Sequence, residues 1–235
     1  MIAAAGGTLR MITVSPEIPG AEALIRRFAG AGATVSAGHT GLPPDRLADA
    51  VDWGVRHVCH LFDTFDPREV AGGATQPSLV DAMLIEDRLL LEIIPDGIHV
   101  PPPLLTLARR AAGADRLVAI TDAMQGAGLP DGVYTMADGR RYTLANGDVC
   151  RLADDPGTIV GSCLTMNRAF ANLVRRFGFT PVEAAKATAT NPARALGLAA
   201  VTGALRIGLA ADIVVLAPDG HVRRCLVDGR ERYRA

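Results

Sequence analysis

Residues 33–62 read ATVSAGHTGLPPDRLADAVDWGVRHVCHLF. A β-branched run at Thr34–Ala37 gives way to a glycine turn, and Pro44–Trp53 then places Leu47, Ala50 and Val51 on one helical face before stopping at Gly54. A second apolar run follows at His57–Phe62. This strand, helix, strand unit recurs about five times along the chain, an alternation that predicts an α/β fold around a parallel sheet. The other expected strands are Met11–Ser15, Leu89–Ile94, Leu117–Thr121 and Thr158–Gly161. Ala21–Phe28 reads as a helix that aligns Leu24 with Phe28 and ends before Gly30 and Gly32.

Towards the C-terminus, Thr180-Pro181-Val182-Glu183 is a capping box with proline at the first helical position, where its missing N–H costs nothing. Asn191-Pro192 starts a further short helix that ends at Gly197. From about Val201 the texture changes. The segment GALRIGLAADIVVLAPDGHVRRCLVDGRE sets Gly and Asp-Gly turns between short alternating runs, which predicts an antiparallel β module. The expected division is therefore residues 1–200 for the α/β unit and 201–235 for the terminal strands.

The 235 residues are 49% apolar and 21% charged with a formal charge of -1, enough for a substantial core and without the electrostatic pull that polyanions require. Aromatics make up 4%, too few for a base-stacking platform, so nucleic acid is excluded as a partner. The opening MIAAAGGTLRM holds no sustained apolar run, so no secretory signal or membrane span is expected and the cytosol is the default compartment. Cys59, Cys150, Cys163 and Cys225 lie far apart with no CxxC pair and read as buried, reduced thiols.

Polar residues suited to metal binding or proton transfer fall near the C-terminal ends of the expected strands: Glu17, His39, His60, His99 and Asp122. In parallel α/β folds that edge is where active sites are built. Each placement alone is as well explained by structure, a hydrogen-bonded histidine or, for Glu17 beside Pro16, a helix cap. Jointly they point to a site, and carboxylate with imidazole is the donor set of a divalent metal that keeps positions open for water and substrate. His57 stands three residues before His60, an odd offset expected to send its side chain to the opposite face, toward the helices. His221 belongs to the terminal module, and the pairs Arg26-Arg27, Arg109-Arg110 and Arg175-Arg176 fall late in helices, where they complement the helix dipole.

The strings SPE at 15–17, SAGHT at 36–40, HLF at 60–62, DGIHV at 96–100, ITDA at 120–123, VGSCLTM at 160–166, NPARALGL at 191–198 and GLAADIVVL at 208–216 occur in one order. From about Met11 to the end, the chain resembles the N-acetylglucosamine-6-phosphate deacetylase branch of the amidohydrolase superfamily. The resemblance implies a (β/α)8 TIM barrel, incomplete at the N-terminus with about six βα units, joined to part of a small C-terminal β-sandwich. It implies one divalent metal, zinc or alternatively iron(II) or another divalent ion, on Glu17, His39 and His60. Asp122 would act as general base and then general acid, and His99 would meet the acetyl carbonyl or the sugar. Ser162 and Met166, with Gly161, would line the sugar pocket. The implied reaction is hydrolysis of the N-acetyl amide of a small amino sugar, releasing acetate and free amine. Deamination by the same metal water and Asp122 is the runner-up chemistry, and a truncated, non-catalytic relative is the reading from another class.

Two departures from the family pattern carry their own expectations. Asp63-Thr64 stands where the family has an Asn, which helps bind the sugar phosphate, and then a small residue. A carboxylate there would repel a phosphate dianion, with unit charges at 4 Å worth about 4 kcal/mol in an intermediate dielectric, so a deacylase of a non-phosphorylated N-acyl amine is the alternative. Arg68 lies close to the family's phosphate-binding arginine but in an altered run, where Asp66 or Glu69 are rival partners. The second departure is length: with exposed parallel edges, the sheet is expected to close through a homodimer or a complementing N-terminal segment.

Overall fold

The computed structural model describes residues 2–65, 67–145 and 149–235. Strand β1 (Met11–Val14) leads into α1 (Ala21–Gly30), and β2 (Thr34–Ala37) passes through a 3-10 turn at Pro44–Arg46 into α2 (Leu47–Trp53). β3 (Val55–Val58) is followed by a small hairpin, β4 (Val70–Ala71) with β5 (Ala74–Thr75), and by α3 (Leu79–Ile85). Then come β6 (Leu90–Ile93), α4 (Pro102–Ala112) and β7 (Leu117–Ala119). A meander of β8 (Gly132–Thr135), β9 (Arg141–Leu144) and β10 (Val149–Leu152) runs into β11 (Ile159–Ser162). Helices α5 (Met166–Arg175), α6 (Pro181–Ala185) and α7 (Asn191–Ala195) precede the terminal strands β12 (Ile213–Leu216), β13 (Val222–Val227) and β14 (Arg230–Arg234).

The parallel sheet runs β1-β2-β3-β6-β7, so neighbours in sequence are neighbours in space. β11 extends it through a parallel bridge between Ala123 and Ser162. There Ser162 N–H donates to the Asp122 carbonyl at 2.7 Å and Met124 N–H to the Ser162 carbonyl at 2.9 Å. The same strand pairs antiparallel with β10, so β11 joins the parallel sheet to the four-stranded sheet β11-β10-β9-β8.

One apolar layer lies between sheet and helices. Val35 and Ala37 of β2, Val58 of β3, and Leu91 and Ile93 of β6 pack with helical residues such as Ile25, Val51, Met83 and Leu105. α1 turns Ala21, Ile25 and Phe28 inward and leaves an Arg26–Glu22 pair at 2.9 Å outside. Gly54, which ends α2 at φ 130°, is required there: a Cβ would stand 2.7 Å from the Ala29 Cβ of α1. The expected capping box opens α6, Thr180 N–H reaching Glu183 Oε2 at 2.7 Å and Glu183 N–H reaching Thr180 Oγ1 at 3.2 Å. Arg109 then clamps Glu183 with both terminal contacts at 2.9 Å, tying α4 to α6.

None of the expected strands lies between Thr121 and Thr158, yet the meander occupies that interval around its own small core of Tyr142, Leu144, Cys150 and Cys163. The antiparallel module expected from Val201 begins at Ile213; residues 201–212 form bends and turns. Its order is β12-β13-β14. Among the described residues the cysteines form no disulfide; Cys150 and Cys163 are buried, while Cys59 and Cys225 are half-buried. Among the described residues no helix is long and apolar enough to cross a membrane.

Candidate active site

The C-terminal edge of the parallel sheet bends sharply after three of the strands that carry candidate residues. His39 after β2, His60 after β3 and Asp122 after β7 all take left-handed backbone, at φ 49°, 30° and 51°. Phe62 and Thr64 do so too, at 76° and 59°. Among the described residues Asp228 is the one other non-glycine with positive φ, so the unfavourable conformations gather at this edge. Each costs about 1–3 kcal/mol and persists where surrounding structure over-determines it, as functional sites do.

Two groups form there. The His39 and His60 rings meet edge-on, 4.6 Å between centroids, with Nε2 atoms 2.9 Å apart. His60 Nδ1 is buried without a hydrogen-bond partner, with Asp63 Oδ2 at 4.0 Å. In the second group Asp96 Oδ1 accepts from the N–H groups of Ile98 at 2.8 Å and His99 at 3.0 Å, while Oδ2 meets His99 Nδ1 at 2.6 Å. The far side of the His99 ring, Nε2, faces Asp122 Oδ2 at 3.8 Å. Burial alone would depress His99, but its hydrogen bond to Asp96 and the charges of Asp96, Asp122 and Asp63 outweigh it and raise the pKa above the ordinary histidine value. Asp96 is held below the usual carboxylate range, burial being overcome by His99 and the Ile98 N–H.

Glu17 is engaged elsewhere. Its carboxylate accepts from the Thr40 hydroxyl and from Gly41 N–H at 2.9 Å, which ties it to the loop after His39. Among the described residues no three His, Cys, Asp or Glu side chains are grouped closely enough to hold a metal ion. The two imidazoles do suit one: a tetrahedral zinc with nitrogen ligands at 2.0–2.1 Å separates two nitrogens by about 3.3 Å, within about half an ångström of this pair. Glu17 would have to leave Thr40 and Gly41 to join them.

The other expected contacts divide. Asp63 stands beside His60, and Thr64 is exposed. Arg68 is turned to the surface, where it grips Asp81 through Nε at 2.8 Å and Nη2 at 2.5 Å rather than Glu69; Asp66 lies outside the described residues. Ser162 is buried, its hydroxyl donating to the Thr121 carbonyl and accepting from Leu164 N–H at 2.9 Å, so it fastens the strand junction. Met166 begins α5 and is 38% exposed. A cleft of about 590 Å³ opens on the outer side of Glu17, lined by Leu42, Pro43, Arg46 and Trp53, and neither histidine nor Asp122 borders it.

His57 departs from expectation. Leu91 and Ile93 face the helices, so Glu92 between them faces the other way. His57 Nδ1 lies 3.7 Å from Glu92 Oε1 and 3.1 Å from Ser36 Oγ, which puts His57 on the Glu92 side. Glu92 and Asp96 are the residues that sequence reasoning passed over. Glu92 is the single charge inside the apolar run Leu89–Ile94, and Asp96 sits inside the DGIHV string without an assigned role. Burial and the adjacent Glu92 push the Cys59 thiol up to about 12, so it stays protonated and is no nucleophile.

Comparison with known proteins agrees with this architecture. The amidohydrolase family model matches residues 37–232. N-acetylgalactosamine-6-phosphate deacetylase of Escherichia coli O157:H7 is 35% identical over 98% of this chain and 59% of its own length. N-acetylglucosamine-6-phosphate deacetylase of Bacillus subtilis (strain 168) is 32% identical over 93% of this chain and 53% of its own. The crystal structure of N-acetyl-D-glucosamine-6-phosphate deacetylase from Mycobacterium smegmatis superposes with a TM-score of 0.88 at 34% identity, covering 99% of this chain and 60% of that one. This chain thus spans between half and two thirds of the length of these relatives. The α/β sheet described above is built on the TIM-barrel plan of those enzymes, with β11 leading the chain out to the meander. The chain belongs to the amidohydrolase family, in its N-acetylhexosamine-6-phosphate deacetylase branch.

Proposed function

We propose that this protein hydrolyses the N-acetyl amide of an amino sugar 6-phosphate, using a divalent metal held on His39 and His60 and proton transfer by Asp122. The observation that carries the reading is the meeting of His39 and His60 at the same sheet edge as the Asp96, His99 and Asp122 chain. A divalent ion such as zinc supplies Lewis acidity and an acidified water when bound. Asp122 would take a proton from the attacking water and later deliver it to the departing nitrogen, so that the C–N bond breaks to acetate and free amine. His99, oriented through Nδ1 by Asp96, presents Nε2 to the carbonyl oxygen, where negative charge grows during attack. Asp63, which stands beside His60 Nδ1, would line the substrate pocket with Thr64, Ser162 and Met166.

The relatives are deacetylases of hexosamine 6-phosphates, which favours a phosphorylated sugar over the non-phosphorylated N-acyl amine that Asp63 suggests. For Arg68 to contact phosphate it must first release Asp81. β1 is the end strand of the parallel sheet, which supports closure by a second copy or by a separate segment paired along that edge. The cytosol is the proposed site of action, in keeping with cysteines that form no disulfide among the described residues.

The test is acetate release from N-acetylglucosamine 6-phosphate, N-acetylgalactosamine 6-phosphate and their unphosphorylated counterparts, with zinc or iron(II) supplied. Turnover of a phosphorylated sugar, lost on chelation, is the expected result. Release of acetate from none of them would overturn the hydrolase reading, and preference for the unphosphorylated sugars would overturn the substrate.

A further inference from the structure

We propose that Glu92 is a positioning residue whose buried carboxylate holds the His60 backbone in the left-handed turn that brings His60 Nε2 to His39. The inference rests on the metal reading above for its purpose, though not for its geometry.

β3 ends at Val58, and two residues later the chain must leave the strand direction abruptly to carry the His60 ring toward β2. Residue 92 captures both N–H groups freed by that bend. His60 N–H donates to Glu92 Oε2 at 3.1 Å, and Leu61 N–H donates to the Glu92 backbone carbonyl at 2.8 Å. An ordinary parallel ladder supplies a backbone carbonyl alone; here the side chain supplies the second acceptor. The carboxylate sits on the face opposite Leu91 and Ile93, is only 9% exposed, and has Oε1 directed toward His57.

A leucine would fill this place more cheaply, because a carboxylate withdrawn from water is costly even when hydrogen-bonded. Burial raises the Glu92 pKa, against the pull of the His60 N–H. Among the described residues no arginine or lysine pairs with it. What the acid gains for the molecule is the His60 turn. Groups that orient a metal-binding imidazole are commonly worth about 10–100-fold in metal affinity.

The experiment uses the full 235-residue chain with Glu92→Leu, Glu92→Gln and His60→Ala, read by cobalt(II) titration with its visible spectrum, by urea unfolding, and by amide hydrogen exchange. Glu92→Leu is expected to weaken cobalt binding about 10–100-fold and alter the visible bands while the urea midpoint stays level or rises. Glu92→Gln, whose amide oxygen still accepts from His60 N–H, stays within a few-fold of the parent. In Glu92→Leu the His60 amide exchanges about tenfold faster or more, while Leu61, still bonded to the backbone carbonyl, keeps its protection. Cobalt binding and spectrum unchanged in Glu92→Leu would overturn the proposal, as would a Glu92→Gln defect equal to that of leucine. Equal cobalt binding by the parent and His60→Ala would instead sink the metal reading. The exchange rates then decide this proposal separately, an unchanged His60 amide in Glu92→Leu refuting it.

Discussion

At neutral pH His57 is an imidazole with nowhere to place a charge. It is fully buried, its Nδ1 lies 3.1 Å from Ser36 Oγ, and Nε2 has no hydrogen-bond partner. Glu92 Oε1 at 3.7 Å favours the protonated ring, but that separation is beyond a hydrogen bond and complete burial outweighs it, lowering the pKa to about 4. In the unfolded chain the same ring titrates at its ordinary 6.5. The folded value is thus depressed, and as pH falls the unfolded state binds a proton first. His57 costs the fold nothing above pH 6.5, and its penalty grows between 6.5 and 4. The two pKa values give a loss of about 2 kcal/mol at pH 5 and about 3 kcal/mol below pH 4. Urea unfolding of the parent and of His57→Gln across this range isolates the effect, since the carboxylates and other histidines are common to both proteins. Gln keeps a partner for Ser36 and cannot titrate, so the stability difference between the two proteins should shift by about 2 kcal/mol in favour of the variant on going from pH 7.5 to 5. Parallel pH slopes would refute the reasoning and mean that His57 takes up its proton over the same pH range in the folded and the unfolded chain, while a shift in favour of the parent would mean that it is already charged against Glu92.

Asp122→Asn should cut kcat by about 10²–10⁴-fold while zinc affinity is retained, as measured by acetate release beside metal titration. His60→Ala should abolish tight metal binding; Glu17→Gln, whose carboxylate is spent on Thr40 and Gly41, should weaken it far less, and equal losses on titration would return Glu17 to the ligand set. Gly161→Ala would place a Cβ 2.9 Å from the Asp122 carbonyl at φ 138°, and should lower both the thermal midpoint and kcat; unchanged activity would show that the junction gives way without moving Asp122. Thr180→Ala should cost about 1 kcal/mol in urea unfolding through loss of the α6 cap, without altering metal affinity.

What could be read along the chain was what local chemistry controls. β2 falls on the residues expected of it, and β1, β6 and β7 lie inside their expected runs, because β-branched and apolar runs bounded by glycine and proline choose extended backbone by themselves. The α6 cap is a four-residue event and was equally legible. The meander was not, since β8 alternates between exposed and half-buried positions and leaves only a faint apolar pattern. His57 was misjudged for an instructive reason. Counting parity back from His60 assumes an unbroken strand, but β3 stops at Val58 and His60 lies beyond it in left-handed backbone.

By itself, then, the order of residues determined the parallel α/β plan and set His39, His60, His99 and Asp122 near one sheet edge, because strand ends and turns are short-range consequences of side-chain type. Only the tertiary structure decided which of them meet. Contacts such as His39 with His60, His99 with Asp122, Arg68 with Asp81 and Glu92 with the His60 backbone join residues 13 to 32 positions apart, and their distances depend on sheet register and left-handed turns that no local pattern specifies.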